Sequence, residues 1–323
     1  MPTDTLNDPN GREADRWPAL PFADWQATYE TLHRWTQIVG KVKLELAPFL
    51  NELWHVALQL TARGLTTGPL PMARGVFEVR FDFLDHNLSI ETSERGRKLL
   101  PLMPRSVADF YAEFMAALRS LGLAVRITPV PDEVPDQTAF PDDHLHATYD
   151  ADQVERWWQA MLLVSKALEA HRSAFVGKSS PVQFFWGSFD LSLTRHSGRP
   201  ATPPKGAPLF MRLAEDQEII AAGFWPGNER LGGAALYSYT YPEPMGLKAV
   251  SLGPGRGYYD ADLGEFVLRY EDIRQAEAPN AVMRDFLQQT YEAGATLGKW
   301  DRKALERSVP KVSKLAREGR QAT

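Results

Sequence analysis

The sequence predicts an α+β fold with an internal duplication: a helix, a four-stranded antiparallel sheet and a closing helix, in two copies packed together. Three observations predict it. Four segments, two in each half, carry apolar residues at helical spacing. The intervals between them alternate apolar and polar residues with period two. Short identical runs recur at corresponding points of the two halves, as a repeat requires.

The first helix presents Trp25, Tyr29, Leu32, Thr36 and Val39 three or four residues apart; its counterpart presents Trp158, Met161, Ser165, Leu168, Arg172 and Phe175. Both runs end in Val-Gly-Lys, at Lys41 and at Lys178, so Gly40 and Gly177 are expected to supply the left-handed residue that closes a helix. Trp54, Val56, Leu58 and Leu60 read as a strand, matched later by Phe185, Phe189, Leu191 and Leu193. Residues 58–61 and 191–194 are both Leu-x-Leu-Thr, which puts the two runs in register. Phe77, Val79, Phe81 and Phe83 lead into the turn formers Asp85, His86 and Asn87, and Leu88 and Ile90 return as a hairpin. Tyr237, Tyr239 and Tyr241 alternate in the second half.

Ser106, with Asp109 three residues on, is a capping signal for a helix that buries Val107, Phe110, Phe114, Leu118 and Leu121. The last helix starts after Pro279 and presents Val282, Phe286, Ala293 and Leu297. Both closing helices end in Leu-Gly, at Gly122 and Gly298.

These elements divide the chain into a disordered N-terminal tail (1–16), a first repeat (17–128), a proline-rich acidic linker (129–144) and a second repeat (145–300) with an insertion near 199–222. Pro129, Pro131, Pro135 and Pro141 make the linker extended and semi-rigid. A basic tail (301–323) follows, with Arg302, Lys303, Arg307, Lys311, Lys314, Arg317 and Arg320; it reads as a solvated end.

Composition narrows the function classes. Hydrophobic residues at 44% and charged residues at 24% are globular values. The 36 basic against 41 acidic residues leave a net charge of -5, which gives no attraction to a phosphate backbone or an anionic membrane, so nucleic acid is not the expected partner. No apolar run has the length of a membrane span, and the polar start of the chain lacks the apolar core of a signal peptide. With no cysteine, thiolate nucleophiles, disulfides and thiolate metal sites are absent, which fits a reducing, cytoplasmic setting. There is no Walker loop, no Gly-x-Gly-x-x-Gly and no Cys-x-x-Cys, and no motif names a cofactor. Oligomeric state has no signal in the sequence.

The densest aromatic and glycine-rich segment is 180–191. Read as one strand, it sets Trp186, Ser188 and Asp190 on one face: an aromatic wall, a hydroxyl and a carboxylate that could floor a pocket, with Asp190 binding or moving a proton. The plainer reading is a half-solvated sheet face, or Asp190 paired with Arg195. The Leu-x-Leu-Thr register sets His55 opposite Ser188, so a Ser/His/Asp convergence is conceivable, although no Gly-x-Ser-x-Gly elbow supports it. His144 and His146 beside Asp142 and Asp143 are weak metal candidates, since two imidazoles make half a site and a solvated linker explains them as well. Aromatic loops at 223–227, 237–244 and 257–260 offer rigid amphipathic walls, or simply edge strands and turns.

The segments 17–21, 61–67, 104–111, 184–191, 223–227 and 241–244 resemble, in order, those of a mostly bacterial family of unknown function, DUF5996, over about Trp17 to Trp300. The resemblance implies no established activity. The family pattern has histidine where Gln183 stands and phenylalanine where His196 stands, so a metal role at the first of these positions does not carry over.

The sequence therefore leads to a small-molecule pocket between two α+β repeats. Asp190, His55 and Glu243 are the acid-base candidates, and Trp186, Ser188, Arg63, Arg195, Trp225 and Tyr241 the ligand-binding ones. The protein is expected to be an enzyme using acid-base chemistry or, in the alternative, a non-catalytic binding module or an interaction protein. The second half, which alone carries the Trp-Gly-Ser-Phe-Asp run, is expected to hold the function.

Overall fold

The computed structural model describes residues 17–308, apart from positions 204, 208 and 254. The N-terminal tail and the basic residues from Lys311 onward lie outside the described residues. The described chain has seven α-helices and two antiparallel sheets of six strands each, two strands more per sheet than the alternation predicted. No helix among the described residues is long and apolar enough to cross a membrane.

The first half opens with α1 (Phe22–Leu46) and continues through β1 (Gln59–Thr61), β2 (Gly64–Thr66), β3 (Leu70–Pro71), β4 (Val76–Asp82), β5 (Asn87–Thr92) and β6 (Arg97–Pro101) to α2 (Val107–Ser120). The strands form a meander ordered β1-β2-β4-β5-β6, with β3 on β4. The predicted hairpin is β4 and β5, paired from Phe77 with Thr92 to Asp82 with Asn87, and Phe77, Val79, Phe81, Leu88 and Ile90 are all buried. Ser106 caps α2 by accepting from the Asp109 N–H at 3.0 Å, and Gly122 at φ 76° closes it.

The second half runs α3 (Ala151–Ser173), β7 (Gln183–Phe185), β8 (Asp190–Pro200), α4 (Leu209–Ala214), β9 (Gln217–Asn228), β10 (Gly233–Tyr241), β11 (Tyr258–Asp260), β12 (Glu265–Arg269), α5 (Tyr270–Arg274), α6 (Pro279–Leu297) and α7 (Arg302–Leu305). Its sheet is ordered β11-β12-β10-β9-β8-β7. The two sheets meet edge to edge, not face to face: Leu58, beside β1, and Phe184 of β7 exchange backbone hydrogen bonds of 2.8 Å each. One buried cluster extends from Trp17 to Leu287 through both halves.

Three expectations need correction. The helix does not stop at Gly40: α1 continues to Leu46, and Gly40 serves to admit a neighbouring side chain. Trp54 to Val56 form a turn after residues 51–53, not a strand, so β1 is short. The two Leu-x-Leu-Thr runs are not equivalent, since one lies at the edge strand β1 and the other in β8, the second strand of its sheet.

α1 is buried on all sides from Thr31 to Lys43 because the segment after α2 wraps its polar flank. Gln37 exchanges hydrogen bonds with the backbone of Asp132 at 2.7 and 2.8 Å. Arg34 donates to the Asp136 carbonyl at 3.2 Å and lies 3.1 Å from the Asp143 carboxylate, both side chains being buried. Phe140 is fully buried in the same segment.

Candidate functional site

Residues 186–189 are a turn joining β7 to β8, so the single strand expected there is instead a hairpin. Phe189 makes the turn with φ 56°, a left-handed conformation that costs a non-glycine residue about 1 kcal/mol or more. Burial offsets that cost: Phe189 stacks on Trp157 of α3 at 4.7 Å and meets Phe184 and Tyr29 edge-on. Trp186 lies flat against α1 at Gly40, where any Cβ would fall well inside contact distance of the indole, and its N–H donates to the Val56 carbonyl at 2.8 Å. His33 of α1 donates from Nε2 to the Gly187 carbonyl at 2.8 Å. Burial holds His33 down to about 4, so the ring is neutral.

The turn delivers Asp190 to the sheet face turned away from α3 and α6. The register explains this: Leu191, Phe224 and Leu236 lie side by side in the core, so their neighbours Ser192, Gly223 and Tyr237 share the opposite face. Gly223 is required there. The Tyr237 side chain crosses over it from β10, and a Cβ would collide with the phenol. Tyr237 thereby reaches β8 and donates to Asp190 Oδ2, while Ser188 donates to Oδ1 at 2.5 Å.

Asp190 is 6% exposed, and among the described residues no lysine or arginine is paired with it. Burial raises its pKa even though the two hydroxyl donors pull the other way. Its charge reaches two further carboxylates. Glu265, half-buried on β12, is pushed up to about 7 by burial, then by Asp190 and Asp260. Glu133, whose carboxylate lies against Gly187, is raised by burial, Asp190 and Asp132; it keeps contact with solvent, so its shift is the more screened. Neither glutamate has an ion-pair partner among the described residues. Burial and the Asp190 charge hold the Tyr237 phenol well above 10, so it remains a donor. Tyr239 stacks beside it at 6.3 Å, half-buried.

The same face carries buried polar atoms without partners. Gln183, opposite Ser192, has an unpaired Nε2; His196 has two unpaired ring nitrogens; Gln217 has an unpaired Oε1. Such atoms are uncommon in folded proteins and mark places where a water or a ligand belongs. His196 meets Trp54 edge-on at 5.8 Å, and burial beside Lys178 lowers its pKa to about 4. Lys178 in turn pairs with the buried Glu52.

Of the residues singled out in the sequence, the structure brings Ser188 and Asp190 together. The others lie apart. His55 accepts from the Leu50 N–H at 3.2 Å and is not bonded to Ser188 or Asp190, so the Ser/His/Asp arrangement does not form. Arg195 is on the helix-facing side of β8, donating to the His171 carbonyl and lying 4.3 Å over the Tyr291 ring. Trp186 is packed away, as described. Arg63 is half-exposed and binds Asp82 and Asp85. Trp225 is on the outer face and packs with Leu231, Ala235 and Val267. The Tyr241 hydroxyl donates to the Thr202 carbonyl at 2.8 Å, and Glu243 accepts from Tyr259. His144 is exposed, whereas the His146 Nδ1 is 2.9 Å from Asp143, the partner of Arg34. Among the described residues no group of three His, Asp or Glu is placed to hold a metal ion.

Tyr237, Tyr239, Gln183, Glu265 and Glu133 enter the site unforeseen. The tyrosine alternation in β10 and the place of Gln183 within the 180–191 segment are the signals the sequence carries for them. A depression of about 490 Å³ between Arg256 and the α5–α6 junction is elsewhere. Its charged groups are already matched, Arg256 with Asp285 at 3.5 Å and Asp272 with Arg269 at 2.8 Å. Space is there, but the uncompensated charge is at Asp190.

A family model described as a family of unknown function, DUF5996, matches residues 17–307. No curated protein and no solved structure matches the chain.

Proposed function

The chain belongs to the DUF5996 family, and from that premise we propose that it is a small-molecule protein with acid-base capability whose site is the outer face of the second sheet around Asp190. The observation that carries the reading is a buried carboxylate held by a phenol and a hydroxyl, with no cation, in electrostatic range of a glutamate raised to about 7. Groups of differing protonation in electrostatic range of one another near neutral pH are suited to acid-base work. Tyr237 keeps its proton and fixes the Asp190 carboxylate; Glu265 is poised to give or take one. A binding module without catalysis is the second reading. It is favoured by Gln183 and His196, whose free polar atoms can recognise a ligand without titrating near pH 7.

The test is a thermal-shift screen of a small-metabolite library on wild type, Asp190→Asn and Tyr237→Phe. At least one compound is expected to raise Tm in wild type and to lose most of its effect in both variants. Equal shifts in all three proteins would remove the site from Asp190.

The same proposal includes an internal duplication and a cytoplasmic setting, the latter supported by the lack of cysteine. The duplication is supported by a reciprocal exchange. α1 of the first half holds the β7–β8 turn through His33 and Gly40, while α3 of the second half holds the β1–β2 turn through Trp158, whose N–H donates to the Thr61 carbonyl at 3.2 Å. The first strands of the two meanders also pair antiparallel, as a twofold relation requires. β1 then corresponds to β7.

A further inference from the structure

Resting on the reading of this face as a small-molecule site, we propose that its ligand is a small organic cation, an ammonium or amidinium, with a hydrogen-bond acceptor a few bonds away, as in an amino alcohol or an amino acid amide.

Two independent observations support the two ends of such a molecule. The charged end follows from Asp190, Glu265 and Glu133, three carboxylates without an ion-pair partner among the described residues. Arg230, the nearby cation, is taken by Asp260 and Asp262 at 3.1 Å. An anionic ligand would add to this repulsion, whereas an ammonium beside Asp190 relieves it at all three carboxylates. The stacked, half-buried Tyr239 offers a ring face that also favours a cation.

The neutral end follows from Gln183. It is 4% exposed, its Nε2 has no partner, and it shares the face with Asp190 because it sits opposite Ser192 while Phe185 sits opposite Asp190. Ser192 is two residues from Asp190, about 7 Å along an extended strand. An acceptor oxygen reaching Gln183 therefore lies a few bonds from an ammonium at Asp190.

Glu265 lies opposite Asp260 of β11, which Arg230 neutralises, and is in electrostatic range of Asp190 of β8 and Tyr239 of β10. Protonating Glu265 removes part of the attraction, so ethanolamine, which stays cationic throughout, is expected to bind more weakly at pH 5.5 than at pH 8.

The experiment is saturation-transfer NMR with titration, using L-alaninamide and ethanolamine as cationic probes, methylammonium as a cation without the acceptor, and propionamide and propionate as neutral and anionic counterparts. Saturable binding of L-alaninamide or ethanolamine is expected, weakened by about tenfold or more in Asp190→Asn and by a smaller factor in Glu265→Gln, as loss of a close and of a more distant charge dictates. Gln183→Leu should weaken those two probes but leave methylammonium unchanged, and the remote Asp285→Asn should change nothing. If Asp190→Asn fails to fold, Glu265→Gln and the wild-type pH series carry the same test. Preference for propionamide or propionate, with dependence on Asp190, would overturn the cation assignment while leaving the site. No probe of any class sensitive to Asp190, Glu265 or Gln183 would overturn both.

Discussion

Asp190 is buried against two hydroxyl groups rather than a cation, and its charge adds to burial in raising the pKa of Glu265, Glu133 and Tyr237. A carboxylate removed from water without a counter-charge costs several kcal/mol unless it is hydrogen-bonded or protonated. Tyr237 and Ser188 supply the hydrogen bonds. Glu265 is raised to about 7 first by its own burial and then by the charges of Asp190 and Asp260, so it holds a proton below that pH. The ordinary glutamate value is near 4.3, so between about pH 4.5 and 7 the folded state binds this proton and the unfolded chain does not. Stability from this group is therefore present at low pH and lost as pH rises through that window. The buried neutral rings of His33 and His196, held near 4, act oppositely, lowering stability below about pH 6.5. Comparison with Glu265→Gln isolates the glutamate: the variant should gain on wild type between pH 4.5 and 7 and the gap should level off above about 7.5, as urea denaturation at pH 5, 6, 7 and 8 will show. A gap independent of pH would mean that Glu265 titrates normally.

At the scale of elements, the central relation is α1 against the 186–189 turn. Alanine is the better helix former by about 1 kcal/mol, yet at Gly40 its methyl would enter the Trp186 ring. Gly40→Ala is expected to destabilise by about 1–3 kcal/mol, the usual cost of overpacking. With Trp186→Ala already in place, the same change should become neutral or stabilising in a double-mutant cycle of chemical denaturation. Destabilisation of the same size in both backgrounds would return Gly40 to the helix-closing role its spacing suggested.

That glycine also shows how far elements were legible in the sequence. The Ser106 cap, the Phe77–Ile90 hairpin, α6 and the alternating tyrosines depend on local signals, and the structure has each where those signals place it. The 186–189 turn has no such signal, because Phe189 takes a left-handed conformation without the glycine or asparagine that announces one, and tertiary packing secures it. The spacing in α1 predicts an amphipathic helix, whereas its polar flank is covered by residues about a hundred positions later. Asp190 and Ser188 are only two residues apart, so the alternation that groups them and the turn that replaces it both leave them together. Tyr237, Glu265, Glu133 and Gln183 join them through strand register and long-range packing, which no local pattern encodes.

The whole molecule is organised around the exchange of helices between halves. α1 secures a turn of the second sheet, α3 a turn of the first, and one apolar cluster runs through both. Neither half buries its own surfaces alone, so the described chain should unfold in one cooperative step. Tryptophan fluorescence and far-UV circular dichroism transitions are expected to coincide, and the slowest-exchanging amides to include both α1 and α3. Two separated transitions would show that the halves are independent units. If an uncompensated, partly desolvated carboxylate group on the outer face is the functional centre, ¹³C NMR titration of the Asp and Glu side-chain carboxyls will register it. A resonance absent from Glu265→Gln is expected to titrate near pH 7 and to shift downward in Asp190→Asn. Titration of Glu265 in the ordinary range near 4.3, unaffected by Asp190→Asn, would contradict it.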